Sequence, residues 1–338
     1  MTNDTPLISV IMPAYNSERF IAETLETVLA QTYRNIEVIV VDDGSKDSTP
    51  DIVRGFVARD PRVRLIQQAN SGSPVARNAG FAASRGAFIA PVDSDDLWFP
   101  DKLEQQLAVF AQNGPEVGLV YSWSLYVDAQ GKPLGSYSAF AEEGKVFLQM
   151  FCHNFVNNGS VPLIRRAAIE QTGGYQNDCV EDADLFMRIG DKWEFRVARQ
   201  FHVAYRQASS SLTRNQERME RSYKIFLDDT ARHYPHIPKK VYRWSQGIFY
   251  VYLATKVAGA QGLRAALPML ARAVWYDPGA ALRIAAWAFG RVFGPRPAVP
   301  PGATWRDRPD PATVRLSPNP LGPLAPLRLA YMARVKYA

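Results

Sequence analysis

Apolar residues in the first hundred positions fall into short runs separated by segments of helical period. ISVIMPA (Ile8–Ala14), IEVIVV (Ile36–Val41), VRLIQ (Val63–Gln67) and AFIAPV (Ala87–Val92) read as buried strands. Between the first two, SERFIAETLETVLAQT puts Phe20, Ile21, Leu25, Val28 and Leu29 on one helical face, with Asn16 or Ser17 as N-cap. A second helix opens at Thr49-Pro50 and carries Ile52, Val53, Phe56 and Val57. A third opens at Ser73-Pro74, Ser capping and Pro taking the first helical position. Such alternation predicts an α/β fold: right-handed crossovers and a mainly parallel sheet with helices on both faces. Ligands then gather at the carboxyl ends of the strands. PAYN, DDGS and DSDD, which follow the first, second and fourth strands, are expected along one rim.

The pattern then changes. VGLVYSWSLYVD (Val117–Asp128) and the later GSYSAF predict a hairpin, and SVPLIRRAAIEQTGGY a strand running into a short helix. VEDADLFMRIGD (Val180–Asp191) predicts a helix that begins at its own acids, and EFRVARQFHVAYR predicts strands. From about Asn215 the chain is expected to be helical, through Tyr276 and on to Phe293. Ten prolines in residues 295–326 predict an extended, poorly packed tail. The expected division is a catalytic domain over 1–213, a basic helical region over 214–294 and a Pro-rich tail over 295–338.

Composition narrows the class. With 47% hydrophobic and 21% charged residues, the 338-residue chain can build a real core. Its two cysteines, Cys152 and Cys179, form no CxxC pair, which argues against a disulfide framework or zinc site and for a reducing compartment. The N-terminus reads as lacking a signal peptide, and no uncharged apolar run reaches the roughly 18 residues of a spanning helix. Residues 1–184 hold 14 Lys/Arg against 24 Asp/Glu, whereas residues 185–338 hold 25 against 9. The basic half suits an anionic partner such as a lipid surface or a phosphorylated acceptor, or is simply a solvated basic face. No nucleic-acid reading module is recognisable, so no nucleic-acid partner is expected.

The candidate chemistry lies on the rim. Strand alternation would put Asp93 and Asp95 on one side and Ser94 on the other, two hard oxygen donors suited to Mg²⁺ or Mn²⁺. The plainer alternative has Asp96 capping the next helix and its neighbours solvated. Asp43, before a turn-permitting Gly44, can accept from a nucleobase N–H or a ribose hydroxyl, or can form an Asx-turn. Tyr15 can stack on a base or be an edge aromatic. Arg77 can reach a base or phosphate as a forked donor, or form a surface ion pair.

The order ISVIMPAYN, IEVIVVDDGSKDST, NSGSPVARNAGFAASRGAFIAPVDSDD and GGYQNDCVEDADLFMRI resembles the inverting family 2 glycosyltransferases of GT-A (Rossmann-like) fold, over roughly residues 6–210. The resemblance implies that Pro13, Ala14, Tyr15 and Glu18 form the nucleotide-binding segment and that Asp43 contacts the base. It likewise implies that Arg77 with Asn78 is the ARN element, and that Asp93-Ser94-Asp95 is the metal-binding DxD, with Asp95 as direct ligand. Glu181-Asp182 matches the ED pair, in which Asp182 is the general base; without that role, the two acids merely favour the helix dipole. The activity implied is a metal-dependent, hexosyltransferase-type transfer from a nucleotide-diphospho-sugar (a UDP-sugar by expectation) to a saccharide or lipid-linked acceptor in bacterial cell-surface polysaccharide or glycolipid assembly.

Departures from the family pattern refine this. Arg243-Trp244 lacks the upstream Gln of the processive synthases, which favours transfer of one or a few sugars. AYRQASSSLTR lacks a His two residues after Arg206, so contact of Arg206 or Arg214 with diphosphate is not expected to follow the family. The acceptor pocket is expected around Phe151–Ser160 and the helical tail. Gly262–Phe293 pairs Ala, Leu and Trp with spaced arginines, suiting peripheral attachment to the cytoplasmic face of the plasma membrane, or packing on the catalytic domain. Two other readings stay open: a non-catalytic nucleotide-sugar binder or membrane scaffold, and a sugar-phosphate nucleotidylyltransferase.

Overall fold

The computed structural model describes residues 5–176, 180–207, 216–285, 299–300 and 302–336. Strands β1 (Ile8–Ala14), β2 (Ile36–Asp42), β3 (Val63–Gln67) and β4 (Phe88–Pro91) alternate with helices α1 (Ile21–Leu29), α2 (Thr49–Arg59) and α3 (Ser73–Ala83). They pair in parallel as β3-β2-β1-β4, with Ile11 level with both Ile39 and Pro91. Alternation divides β2 between two cores. Val38 and Val40 join Ile21, Leu25 and Val28 of α1, whereas Ile39 and Val41 pack with Ala76 of α3. The first helix starts later than a cap at Asn16 or Ser17 would give. The Ser17 carbonyl accepts from the N–H groups of Phe20 and Ile21, so a turn precedes α1.

Beyond β4 the parallel expectation gives way. β5 (Leu97–Trp98), β6 (Val117–Val127), β7 (Pro133–Ser138), β8 (Leu163–Arg165) and β9 (Glu194–Arg206) extend one nine-stranded sheet, ordered β3-β2-β1-β4-β8-β6-β9-β5 with β7 on β6. Four pairings are antiparallel (β4–β8, β8–β6, β6–β7 and β9–β5), while β6–β9 is parallel. The whole sheet is therefore mixed, because hairpin and return connections need no crossover helix. Between these strands lie α4 (Lys102–Ala111), α5 (Phe147–Cys152), α6 (Arg166–Thr172) and α7 (Glu181–Lys192). The hairpin, the strand running into α6 and the acid-led α7 form where the pattern puts them.

The C-terminal part adds α8 (Gln216–His233), α9 (Lys239–Gln261), α10 (Leu263–Tyr276) and α11 (Ala325–Lys336). Phe293, Arg214 and Cys179 lie outside the described residues. The tail is better packed than its prolines suggest. Trp305 is buried, donates its backbone N–H to the Gly131 carbonyl at 2.9 Å and meets the Phe99 ring edge-on. Ser317 and Ala139 exchange two hydrogen bonds of 2.9 Å, and Arg328 forks onto Asp277 at 2.8 and 2.9 Å with both side chains buried. Proline removes backbone donors but not apolar side chains, and Trp305, Leu321 and Met332 supply those. No described helix is long and apolar enough to cross a membrane.

Candidate active site

The rim loops are stapled to one another. After β1, the Asn16 N–H donates to Ser45 Oγ at 2.9 Å, and Asn16 Oδ1 accepts from the Lys46 N–H at 2.8 Å. Glu18 Oε2 accepts from the Ser48 N–H at 2.9 Å. Tyr15 stands half exposed between the buried Ala14 and this staple, and Pro13 is partly covered. After β2, Asp43 is buried and already engaged. Its oxygens accept from Gln68 Nε2 (2.7 Å), Ser71 N–H (2.9 Å) and Gly72 N–H (2.8 Å). The carboxylate thus fixes the loop that leads into α3. Gly44 has φ +78°, and a Cβ there would meet the Asn70 nitrogen at 2.9 Å, which only glycine avoids.

The acidic segment is a turn, not a strand. β4 ends at Pro91, so strict alternation does not orient Asp93 and Asp95. Ser160 Oγ accepts from the Asp93 N–H at 2.9 Å and donates to Asp96 at 2.5 Å. Ser94 Oγ pairs with Ser17 Oγ at 2.7 Å and its carbonyl accepts from Thr24 Oγ1 at 3.0 Å, tying the turn to the loop after β1. Asp96 neither caps a helix nor meets solvent: it is fully buried and accepts from the Arg206 N–H at 3.0 Å. Burial, then the charges of Asp95 and Asp93, hold its carboxyl well above the usual range. Burial and then Asp93 push the Asp95 carboxyl up to about 6, against the pull of Arg206.

Arg77, from α3, is the buried cation of the cluster. Its guanidinium reaches Asp93 at 2.5 Å, contacts Glu181 directly and lies 3.6 Å from Asp182. Burial disfavours its charge, but Asp182, Glu181 and Asp93 together hold its pKa well above normal. It is therefore not a surface ion pair. Asn78 instead holds the backbone of Tyr175, at 2.7 and 2.9 Å. Asp182 sits in the first turn of α7, where the helix dipole favours an anion, and its Oδ1 is buried without a hydrogen-bond partner. Burial raises its carboxyl to about 7; Arg77 opposes the rise, and Glu181 and Asp93 add to it.

Among the described residues, no three His, Cys, Asp or Glu side chains are arranged to hold a metal unaided. The turn nevertheless fits Mg²⁺ or Mn²⁺, which keep most positions for water and phosphate. A divalent ion on Asp95 and Asp93 would answer the raised Asp95 carboxyl and the crowding of three like charges.

A cavity of about 550 Å³ joins these groups, lined by Arg77, Asp93, Asp95, Glu181 and Asp182 and also by residues of the 150–159 segment, α8 and α9. Pro13, Ala14, Tyr15, Glu18, Asp43 and Ser94 lie on the rim outside that lining. Sequence reasoning missed three supports. Ser160 clamps the acidic turn, and Gly159 leaves room beside Arg77 and Asp182. Arg206 donates to the Asp95 carbonyl at 2.7 Å, the Ala129 carbonyl at 2.8 Å and Glu23 at 2.8 Å, so it holds the turn from below. Only the pairing of small residues in NNGS hinted at the first two.

Comparison with known proteins fits this geometry. The model of Glycosyl transferase family 2 matches residues 9–173. An uncharacterized glycosyltransferase of Rickettsia bellii is 38% identical over 142 residues, covering 41% of this chain and 20% of that protein. One from Haemophilus influenzae is 43% identical over 109 residues (32% and 44% coverage), and the chondroitin synthase of Escherichia coli is 31% identical over 197 residues (56% and 27%). The chain thus spans less than half the length of these relatives. S. aureus TarS 1–349 with UDP-GlcNAc superposes with a TM-score of 0.57 at 18% identity, covering 85% of this chain and 88% of that one. The mannosyltransferase PcManGT of Pyrobaculum calidifontis with GDP-Man and Mn²⁺ gives 0.53 at 22% identity, covering 86% and 84%. The fold is GT-A, and residues 9–173 match glycosyl transferase family 2.

Proposed function

We propose that the protein is an inverting, metal-dependent transferase of the hexosyltransferase type. It moves one sugar from a nucleotide-diphospho-sugar, taken as a UDP-sugar, to an acceptor hydroxyl in bacterial cell-surface polysaccharide or glycolipid assembly. The observation that carries this reading is Asp182: a buried carboxylate oxygen without a hydrogen-bond partner, in the same cavity as Asp93 and Asp95. TarS with UDP-GlcNAc and PcManGT with GDP-Man and Mn²⁺ share the fold and support a nucleotide-sugar donor.

Asp182 takes the proton of the acceptor hydroxyl as its oxygen attacks the anomeric carbon. The bond to the diphosphate breaks on the opposite face, its electron pair leaves with the diphosphate, and one displacement inverts the centre. Asp95 and Asp93 would hold Mn²⁺ or Mg²⁺, which when bound would supply Lewis-acid stabilisation of the leaving charge. Tyr15 offers a face to the base, Glu18 with Pro13 and Ala14 shapes that loop, and Asp43 frames the base by holding residues 68–72. Arg77 aligns Asp182 with the acidic turn. Enzyme action is proposed at the cytoplasmic face of a membrane, where α10 exposes Leu263, Leu267 and Trp275.

The test is release of nucleoside diphosphate from UDP- and GDP-sugars by purified protein with Mn²⁺. Expected are turnover with one donor, its loss on chelation, and its loss in Asp182→Asn with donor binding retained. Turnover indifferent to both changes would remove the proposed chemistry.

A further inference from the structure

One wall of the cavity carries none of the groups assigned to the donor. The cavity's carboxylates come only from the β4–β5 turn and α7, whereas α8 and α9 contribute Met219, Phe226, Ile248, Phe249 and Tyr252. The one charged residue these two helices add to the lining is Lys256, exposed to solvent with its Nζ 5.4 Å over the Tyr252 ring. Tyr223, also in this wall, stacks on Phe249 at 3.8 Å, and its hydroxyl pairs with Ser245 at 2.7 Å, so its polar end is spent internally. Met150 of α5 completes the apolar side.

Two polar atoms of lining residues, Asn158 Nδ2 and His153 Nε2, are buried without hydrogen-bond partners, and Asn158 adjoins Gly159, which packs against Asp182. Burial lowers the His153 pKa to about 4, leaving a neutral imidazole. A sugar ring pressed against α8 and α9 would lose water from its hydroxyls and find few partners. A hydrocarbon chain would gain from the same surface.

We propose that the α8–α9 wall of the cavity is an acceptor subsite for an alkyl chain. The acceptor is then an amphiphile: a hydroxyl-bearing head group beside Asp182 and Asn158, with its hydrocarbon portion against Met219, Phe226, Ile248 and Phe249. This rests on the transferase reading and narrows its acceptor to a lipid-linked one.

Methionine methyl resonances report the subsite directly, because Met150 and Met219 line it while Met12, Met187, Met269 and Met332 do not. Protein labelled with ¹³C at these methyls is titrated with n-butyl, n-hexyl and n-octyl β-D-glucoside below micelle formation, and with maltotetraose as a chain-free saccharide. Met150 and Met219 are expected to shift saturably with the glucosides, affinity rising roughly fourfold per added methylene. Met219→Gln should weaken n-octyl β-D-glucoside at least tenfold. Equal affinity across the glucosides, or an equal response of the two methyls to maltotetraose, would overturn the proposal, as would shifts confined to Met269 and Met332. Binding of UDP with Mn²⁺, measured in parallel, tests the donor reading separately, so either can fail while the other stands.

Discussion

Arg77 sets one Nη 3.6 Å from the Asp182 carboxylate while the other binds Asp93 at 2.5 Å. A single cation therefore faces both the acidic turn and the first turn of α7, and it is the influence that opposes burial in setting the Asp182 pKa. A general base acts in its ionised form, so turnover should rise with pH through about 7. Arg77→Gln removes the opposing cation, so the acid limb of kcat/KM should move to higher pH by about one unit or more. A limb that stays put while the plateau drops would mean that Arg77 serves only to hold the fold.

The same carboxylate should make the folded chain less stable as pH rises. The Asp182 pKa is raised from 3.8 to about 7 on folding, so within that window the folded state keeps a proton that the unfolded chain has released. Stability falls with pH across the window and stays low above it. Asp182→Asn carries no charge there, so at mildly alkaline pH it should be more stable than the parent by roughly 1–3 kcal/mol and unfold at a higher temperature. The gap should close towards the lower end of the window. Transfer should meanwhile drop about 10²–10⁴-fold. Parallel thermal melts at the two pH values check this, and identical melts at alkaline pH would contradict a buried charge at Asp182.

Gly159 permits the close approach of Arg77 and Asp182. A Cβ at this position would stand 2.9 Å from Arg77 Nη2 and 3.0 Å from Asp182 Oδ2. Gly159→Ala should therefore displace both side chains at a stability cost of roughly 1–3 kcal/mol. A shift of even 1 Å in the base should cost about 10²-fold in turnover. Turnover near the parent level would show that the cluster yields more easily than its packing implies.

These relationships also show how far local pattern reaches. The Ile8–Ala14 and Ile36–Asp42 strands are legible because both faces of the sheet are covered and most of their residues are apolar. The acidic α7 start and the rim position of PAYN, DDGS and DSDD follow from the same alternation. What local pattern cannot supply is the distant partner. Arg77 looks like an ordinary helical arginine until Glu181, 104 residues on, closes over it. Asp43 looks free to meet a base until residues 68–72 fold back onto it. The packing of the Pro-rich tail depends on Arg308 with Asp101 and Arg328 with Asp277, pairs that lie 207 and 51 residues apart.

The outer face of α10 leads to a last prediction. Ala266, Met269 and Ala273 are buried, so that side of the helix serves packing. Leu263, Leu267, Val274 and Trp275 point away from it, with Leu267 60% and Trp275 80% exposed. The helix LRAALPMLARAVWY contains no acid and two arginines, a composition that suits an anionic lipid interface with Trp at headgroup depth. Each basic residue near such a surface adds about 1 kcal/mol, and salt weakens the attraction. The protein should therefore sediment with phosphatidylglycerol vesicles, less so with phosphatidylcholine and less in high salt. Leu267→Glu with Trp275→Glu should abolish this at little cost to the fold, because both side chains are already in solvent. If the parent stays in the supernatant with both vesicle types, α10 does not bind an anionic membrane, and its exposed face needs another explanation.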